Sequence, residues 1–110
     1  MIIGVPKEIK NREKRVAITP KGVDLLVNSN HKVLIEADAG TSSGYSNNDY
    51  ISVGAFVCER AEDVWNNSDM ILKVQGPLLS EFHYLRKGLK LFTFLYLETD
   101  PLLAARLIEQ

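Results

Sequence analysis

The side chains best suited to binding or catalysis lie in one charged stretch near the amino terminus. Eight of the nine residues in 7–15 are polar or charged, and apolar runs at 2–5 and 16–18 flank the stretch. Arg15 is the basic residue nearest to the second run. A guanidinium can hold a planar carboxylate through two parallel hydrogen bonds, so Arg15 is the first candidate for binding an anion. The alternative is a solvated surface arginine among other charged residues.

The second stretch considered as a binding site is the segment 38–48, DAGTSSGYSNN. Its Gly, Ser and Asn content predicts a loop, in which Gly40 and Gly44 could let the backbone approach a phosphate. Their spacing is not G-x-G-x-x-G, so we favour a structural loop over a phosphate site.

The thiol, the two imidazoles and the indole have simpler interpretations. Cys58 is the only cysteine and cannot form an internal disulfide, and its apolar neighbours favour a buried structural thiol. His31 is predicted in a turn and His83 on an exposed helix face, so neither is expected to be catalytic. Trp65 is interpreted as a core side chain rather than a ligand platform.

The elements that must position these side chains alternate between strands and helices. Strands are predicted at 2–5, 32–37, 55–59, 69–74 and 89–97, and helices at 20–28, 48–53, 61–68, 78–87 and 101–110. Thr19 and Asp100 are expected to be N-caps, because a proline follows each of them. The alternation predicts an α/β fold of the Rossmann or flavodoxin-like kind, with a mostly parallel sheet and helices on both faces.

The ends of the predicted strands show where a site is expected. Ligands of open parallel sheets bind beyond the carboxyl ends of the strands. The segments that follow the carboxyl ends of the predicted strands are 6–15, 38–48, 75–77 and 96–100. The chain ends in a predicted helix with no strand after it, which fits either a fold that ends there or a fragment of a longer protein.

The composition of the whole chain is that of one ordinary globular domain. The 110 residues carry a formal net charge of −1 and are 45% hydrophobic, which gives no reason to expect nucleic acid or a membrane surface as a partner. No apolar run approaches the roughly 20 residues of a membrane span, and no signal peptide is expected. A single cysteine fits a reducing, cytoplasmic location.

Long stretches of the sequence resemble one known family. The segments GVPKEIKNREKRVAITPKGV, HKVLIEADAGTSSGYSNNDYISVGA, DVWNNSDMILKVQGP and LRKGLKLFTFLYL are similar, in this order, to the start of alanine dehydrogenases and of NAD(P) transhydrogenase alpha subunits. The alanine dehydrogenases are the closer of the two. The resemblance implies that residues 1–110 are the N-terminal, substrate-binding fragment of an alanine dehydrogenase, without the NAD-binding Rossmann domain.

The resemblance also assigns roles to three positions. Arg15 matches the family arginine that pairs with the substrate carboxylate. Gln75 stands where the family has a lysine that engages the keto group, but glutamine carries no charge. Tyr96 stands where the family has its acid/base histidine, and a tyrosine that titrates near pH 10 is a poor proton shuttle at neutral pH. Lys73 could share a face with position 75, although we favour a structural role for it.

The implied activity is the NAD-dependent oxidative deamination of L-alanine to pyruvate and ammonia. This chain alone is expected to be inactive, because in the family NAD binds to a domain that these residues lack. Two alternatives remain: a transhydrogenase-like domain, which Gln75 favours, and a non-catalytic binding remnant. The expected ligands are small 2-oxo and 2-amino acids, with no metal. The expected protein partners are further copies of the chain or the rest of the enzyme. Exposed apolar side chains such as Phe92 are expected to cause weak self-association or modest stability.

Overall fold

The computed structural model describes residues 1–93, which contain a five-stranded parallel sheet. The strands are β1 Ile2–Val5, β2 Lys32–Glu36, β3 Phe56–Cys58, β4 Met70–Lys73 and β5 Lys90–Thr93. Their order in the sheet is β3-β2-β1-β4-β5, and every pairing is parallel. The predicted α/β class is therefore confirmed. The end of the last predicted strand, Asp100 and the predicted helix 101–110 lie outside the described residues.

Three α-helices connect these strands: α1 Pro20–Asn28, α2 Asn47–Ile51 and α3 Ala61–Asn67. Helix α1 begins as predicted, because the Thr19 hydroxyl accepts a hydrogen bond from the N–H of Gly22 at 3.2 Å. Helix α2 begins one residue before its predicted start, where Ser46 and Asp49 form a capping box. None of the helices in residues 1–93 combines the length and the apolar character that a bilayer crossing requires.

The prediction of an α-helix over 78–87 is wrong. The segment forms a 3₁₀ helix, Leu79–Tyr84, with hydrogen bonds from the N–H of Glu81 to the carbonyl of Leu78 and from the N–H of Leu85 to that of Phe82. Residues three apart share a face in a 3₁₀ helix as well as in an α-helix. The apolar spacing of Phe82 and Leu85 therefore could not distinguish the two.

The core consists of two apolar clusters, one on each face of the sheet. Helices α1 and α2 cover a cluster made of Val5, Val23, Val33, Ile35, Ala39, Tyr50 and Ala55. Helix α3 and the 3₁₀ helix cover a smaller one made of Val64, Trp65, Ile71 and Leu85. Trp65 is fully buried and stacks on Tyr84 with ring centroids 5.2 Å apart. Its predicted place in the core is confirmed.

Strand β1 is central, and the chain changes direction beside it. After β1 the chain builds β2 and β3 on one side and then returns to place β4 on the other. Such a switch point leaves a crevice at the carboxyl ends of the two strands that flank it. The approach of α3 to β1 is close: a Cβ atom on Gly4 would lie 2.1 Å from Ser68 Oγ, so only glycine fits there.

Candidate functional site

A cleft of about 440 Å³ opens at the carboxyl edge of the sheet, beside the switch point. The opening loop, residues 6–19, forms one wall, and the loop after β2 and the strands β4 and β5 form the others. The apolar side chains of the lining are Val16, Ala17, Leu72, Val74 and Phe92, and its charged side chains are Arg15 and Lys73. An apolar cleft with a few charged groups is the usual form of a small-molecule site.

Arg15 lies at this cleft with its side chain 68% exposed. Its Nε donates to Glu13 Oε2 at 2.9 Å and its Nη2 donates to Glu13 Oε1 at 2.8 Å. This two-pronged contact is the geometry in which an arginine binds a carboxylate. The structure thus places Arg15 at the predicted edge of the sheet, paired to an internal carboxylate, and its role towards a substrate stays a prediction.

Glu13 connects the two predicted substrate residues of this region, Arg15 and Gln75. Besides the guanidinium bonds, it accepts the backbone N–H of Arg15 at 3.0 Å and the side-chain amide of Gln75 at 2.7 Å. The Glu13 side chain is only 6% exposed. The side-chain hydrogen bonds from Arg15, followed in effect by the one from Gln75, hold the pKa of Glu13 well below its usual range. Glu13 is therefore an ionised carboxylate at neutral pH.

Gln75 contacts the opening loop and is not among the residues that line the cleft. Its amide nitrogen donates to Glu13, and its amide oxygen accepts from Lys10 Nζ at 3.4 Å. Its backbone N–H donates to Glu8 Oε1 at 3.2 Å. Gln75 thus reaches Arg15 through Glu13, and the direct substrate contact that the family position implies stays a prediction.

Lys73 lies between two carboxylates where β4 ends. Its Nζ is 3.3 Å from Glu8 Oε1 and 3.4 Å from Glu81 Oε2, and the three side chains are 1%, 3% and 5% exposed. Glu8 also accepts the backbone N–H of Val74 at 3.0 Å. Because buried charges need partners, this group ties the opening loop, β4 and the 3₁₀ helix together. The burial of Lys73 agrees with the structural role favoured from the sequence.

The opening loop is also anchored on the side of β2. Ser43 Oγ donates to the carbonyl of Lys14 at 2.7 Å, and the Tyr50 hydroxyl donates to the carbonyl of Ile18 at 2.8 Å. Burial raises the pKa of Tyr50 to about 12, so its hydroxyl remains a donor across the neutral range. Arg15 therefore lies between two backbone anchors.

Sequence reasoning found Arg15 and Gln75 but missed Glu8 and Glu13, which hold the same region. Glu13 stands two residues before Arg15 in the sequence, and this spacing was the one available signal. Nothing local predicts its bond to Gln75, which lies 62 residues further along the chain.

The glycines of the loop 38–48 have structural explanations. A Cβ atom on Gly40 would lie 2.6 Å from Tyr50 Cε2, and Gly44 has a φ of +90°, which favours glycine. A polar depression of about 520 Å³ lies over this loop, and Asp38 contributes a carboxylate to its lining. A carboxylate repels phosphate, so the structural interpretation of this loop remains the better one.

The other residues considered from the sequence lie apart from the lining of the cleft. His83 is exposed, as predicted, and His31 Nδ1 is 3.3 Å from the terminal amino group. Cys58 is half-buried rather than fully buried as predicted, and partial burial raises the pKa of its thiol, which fits a structural role. Within residues 1–93 no three His, Cys, Asp or Glu side chains come together in a way that could hold a metal ion. Tyr96 lies outside the described residues.

The described residues do not fit NAD. A dinucleotide cradle needs a glycine-rich turn that leads directly from a strand into a helix. Here the charged opening loop separates β1 from α1, and residues 1–93 contain no G-x-G-x-x-G.

The parallel sheet, its switch point and the cleft beside it define a doubly wound α/β domain with a small-molecule site at its carboxyl edge. Comparison with known proteins narrows this class. The sequence model of the family described as "Alanine dehydrogenase/PNT, N-terminal domain" matches residues 4–110, and the chain belongs to this family. The resemblance seen in the sequence is confirmed.

Individual relatives agree with this assignment. The chain is 51% identical over 107 residues to the alanine dehydrogenase of Bacillus subtilis, covering 97% of this chain and 28% of that protein. It is 46% identical to the alanine dehydrogenase of Methanococcus maripaludis, over 100% of this chain and 30% of that protein. The chain thus spans less than a third of the length of these relatives.

Two solved structures share the fold. A structure of an L-alanine dehydrogenase superposes with a TM-score of 0.96 at 42% identity, covering 99% of this chain and 30% of that chain. A transhydrogenase from Sinorhizobium meliloti superposes with a TM-score of 0.88 at 26% identity, covering 96% of this chain and 31% of that chain.

Proposed function

We propose that this chain is the substrate-binding part of an NAD-dependent alanine dehydrogenase, which interconverts L-alanine with pyruvate and ammonia. The observation that carries the proposal is the guanidinium of Arg15 at the cleft beside the switch point. The names of the relatives supply the substrates, since those from Bacillus subtilis and Methanococcus maripaludis are alanine dehydrogenases.

In this proposal Arg15 binds the carboxylate that alanine and pyruvate have in common. Two parallel hydrogen bonds would fix both its position and its plane. The apolar lining from Ala17, Leu72 and Val74 would accept the methyl group. When bound, NAD would accept the hydride, and residues other than those described here would have to hold it.

The residue at position 75 limits the chemistry that we assign to this chain. Gln75 brings no positive charge to an oxygen that becomes negative in the reaction. Tyr96 stands at the acid/base position of the family, and a missing acid/base group costs about 10²- to 10⁴-fold in rate. We therefore assign carboxylate binding, and no turnover, to this chain alone. We expect no NADH when the chain is mixed with L-alanine and NAD, and a clear increase in NADH absorbance would contradict this expectation.

Calorimetric titration with pyruvate and L-alanine tests the binding. We expect saturable pyruvate binding that Arg15→Ala weakens at least tenfold, on the order of the loss of a charge-assisted pair. The matched control is Arg12→Asn, which removes a positive charge from the same loop at a left-handed position, φ 68°, that asparagine tolerates. Equal binding by Arg15→Ala, or an equal loss in both variants, would contradict the role of Arg15.

A transhydrogenase-like domain is the second candidate. The uncharged Gln75 favours it, as does the structural match to the transhydrogenase from Sinorhizobium meliloti. Such a domain has no amino-acid substrate, so the absence of binding to both pyruvate and L-alanine would favour this candidate over the first.

A further inference from the structure

We propose that Glu13 is a positioning residue that holds Arg15 in the orientation in which it receives a substrate carboxylate, and that Gln75 supports Arg15 through Glu13. The inference rests on the proposed function for the role of Arg15 towards substrate. The hold of Glu13 on Arg15 can be measured without any ligand.

The contacts of Glu13 fix the whole arginine side chain. Oε2 accepts both the backbone N–H and the Nε–H of Arg15, and Oε1 accepts Nη2–H. Two bonds along one edge of a planar group set the plane of that group. An exposed arginine normally loses much rotamer freedom when it binds a ligand. Arg15 has already lost much of that freedom, so less is lost on binding.

Gln75 secures the other end of this arrangement. Its amide nitrogen donates to Glu13 Oε1 at 2.7 Å, and Glu8 holds its backbone N–H. The position of Glu13 is thus fixed by a contact with the segment after β4, and not only by contacts within its own loop. The residue at position 75 therefore acts on Arg15 even though it does not line the cleft.

The opposite relation, in which Glu13 competes with a substrate carboxylate for Arg15, agrees less well with the contacts. Glu13 is held by the backbone of Arg15 and by Gln75 as well as by the guanidinium. Displacing it from the guanidinium would leave a nearly buried carboxylate with fewer donors, which is costly. We therefore expect Glu13 to stay in place when a ligand binds.

The rate at which the Arg15 Nε–H exchanges with solvent, measured by ¹⁵N NMR on the whole chain, tests directly whether Glu13 restrains Arg15. The resonance is assigned by its loss in Arg15→Lys. We expect at least tenfold faster exchange in Glu13→Gln, and an intermediate increase in Gln75→Met, which removes the amide donor. The control is Glu62→Gln, which breaks the 2.8 Å surface pair with Arg60 and should leave the Arg15 signal unchanged. Equal protection in wild type and Glu13→Gln would overturn the proposal.

Pyruvate titration supplies the second readout. We expect Glu13→Gln to weaken binding about fivefold, and the double variant Arg15→Ala/Glu13→Gln to bind no more weakly than Arg15→Ala alone, because Glu13 acts through Arg15. Tighter binding by Glu13→Gln would show competition and overturn the proposal. If wild type does not bind pyruvate, the proposed function fails, while the exchange rates still decide whether Glu13 holds Arg15. Circular dichroism establishes that each variant is folded.

Discussion

Two glutamates of the opening loop, Glu8 and Glu13, reach the same short segment after β4. Glu8 accepts the backbone N–H groups of Val74 and Gln75, and Glu13 accepts the side chain of Gln75. Hydrogen bonds to an ionised acceptor are stronger than neutral ones. The geometry around Arg15 therefore depends on a segment that is distant in sequence.

The pH dependence of stability follows from the lowered pKa of Glu13. Its unfolded pKa is about 4.3, so the ionised group contributes stability that is fully present above this value and is lost as the pH falls towards the folded pKa. At neutral pH we expect wild type to exceed Glu13→Gln by about 0.5–1 kcal/mol of unfolding free energy, because the exposed Arg15 is screened by solvent. The difference should shrink below about pH 4.3.

Urea denaturation of both proteins over a series of pH values measures this difference. A gap that stayed constant from neutral pH down to about pH 3 would mean that the charge of Glu13 does not contribute to stability. The result is independent of any ligand.

The sequence is informative about Arg15 because the type and place of one residue are enough to nominate it. Glu13 also stands in the opening loop, but its importance comes from Gln75, and that contact exists only because β4 lies beside β1. A pairing between distant strands cannot be derived from local spacing.

At the scale of elements, the group formed by Lys73, Glu8 and Glu81 joins three parts of the chain that are separate in sequence. We expect Lys73→Met to destabilise the protein by roughly 3–5 kcal/mol, because it leaves two nearly buried carboxylates without their cation. Urea denaturation measures the loss. The triple variant with Glu8→Gln and Glu81→Gln should recover part of it, since neutral side chains cost less to bury.

The control for this prediction is Lys87→Met, at an exposed lysine, which should change the unfolding free energy by less than about 0.5 kcal/mol. A loss in Lys73→Met no larger than that of the control would mean that the buried ion pairs are not needed for stability.

The elements differ in how far local patterns predict them. Helix α1 has both of its starting signals in the sequence, Thr19 as N-cap and Pro20 as the first helical residue, and both are observed. The segment 78–87 has an apolar spacing that two helix types share, and in the structure it packs as a 3₁₀ helix against the cluster that contains Trp65. Tertiary packing decides such cases, and a single sequence does not contain it.

At the scale of the whole molecule, the two outer strands carry exposed phenylalanines. Phe56 on β3 is 55% exposed and Phe92 on β5 is 65% exposed. Within residues 1–93, β3 pairs only with β2 and forms an edge of the sheet. Lys32 on the neighbouring strand β2 places its Nζ 4.8 Å from the centre of the Phe56 ring, a cation–π contact.

We expect weak self-association through this edge, seen in light scattering as an apparent mass that rises with concentration. Phe56→Thr should reduce the rise, because threonine keeps the strand propensity and removes the exposed ring. Leu25→Ser is the matched control, since Leu25 is similarly exposed but lies on a helix. A mass independent of concentration, or an equal reduction in both variants, would contradict an edge contact.

The central place of β1 has a consequence for synthesis on the ribosome. Strand β1 leaves the exit tunnel before the other four described strands, yet one of its two partners begins only at Met70. Until β4 emerges, one edge of β1 has no strand to bond with, and the apolar faces on that side stay open. Contacts between such distant segments form slowly, and unpaired strand edges favour aggregation. We therefore expect the nascent chain to need protection from aggregation in the interval after β1 has left the tunnel and before β4 has emerged.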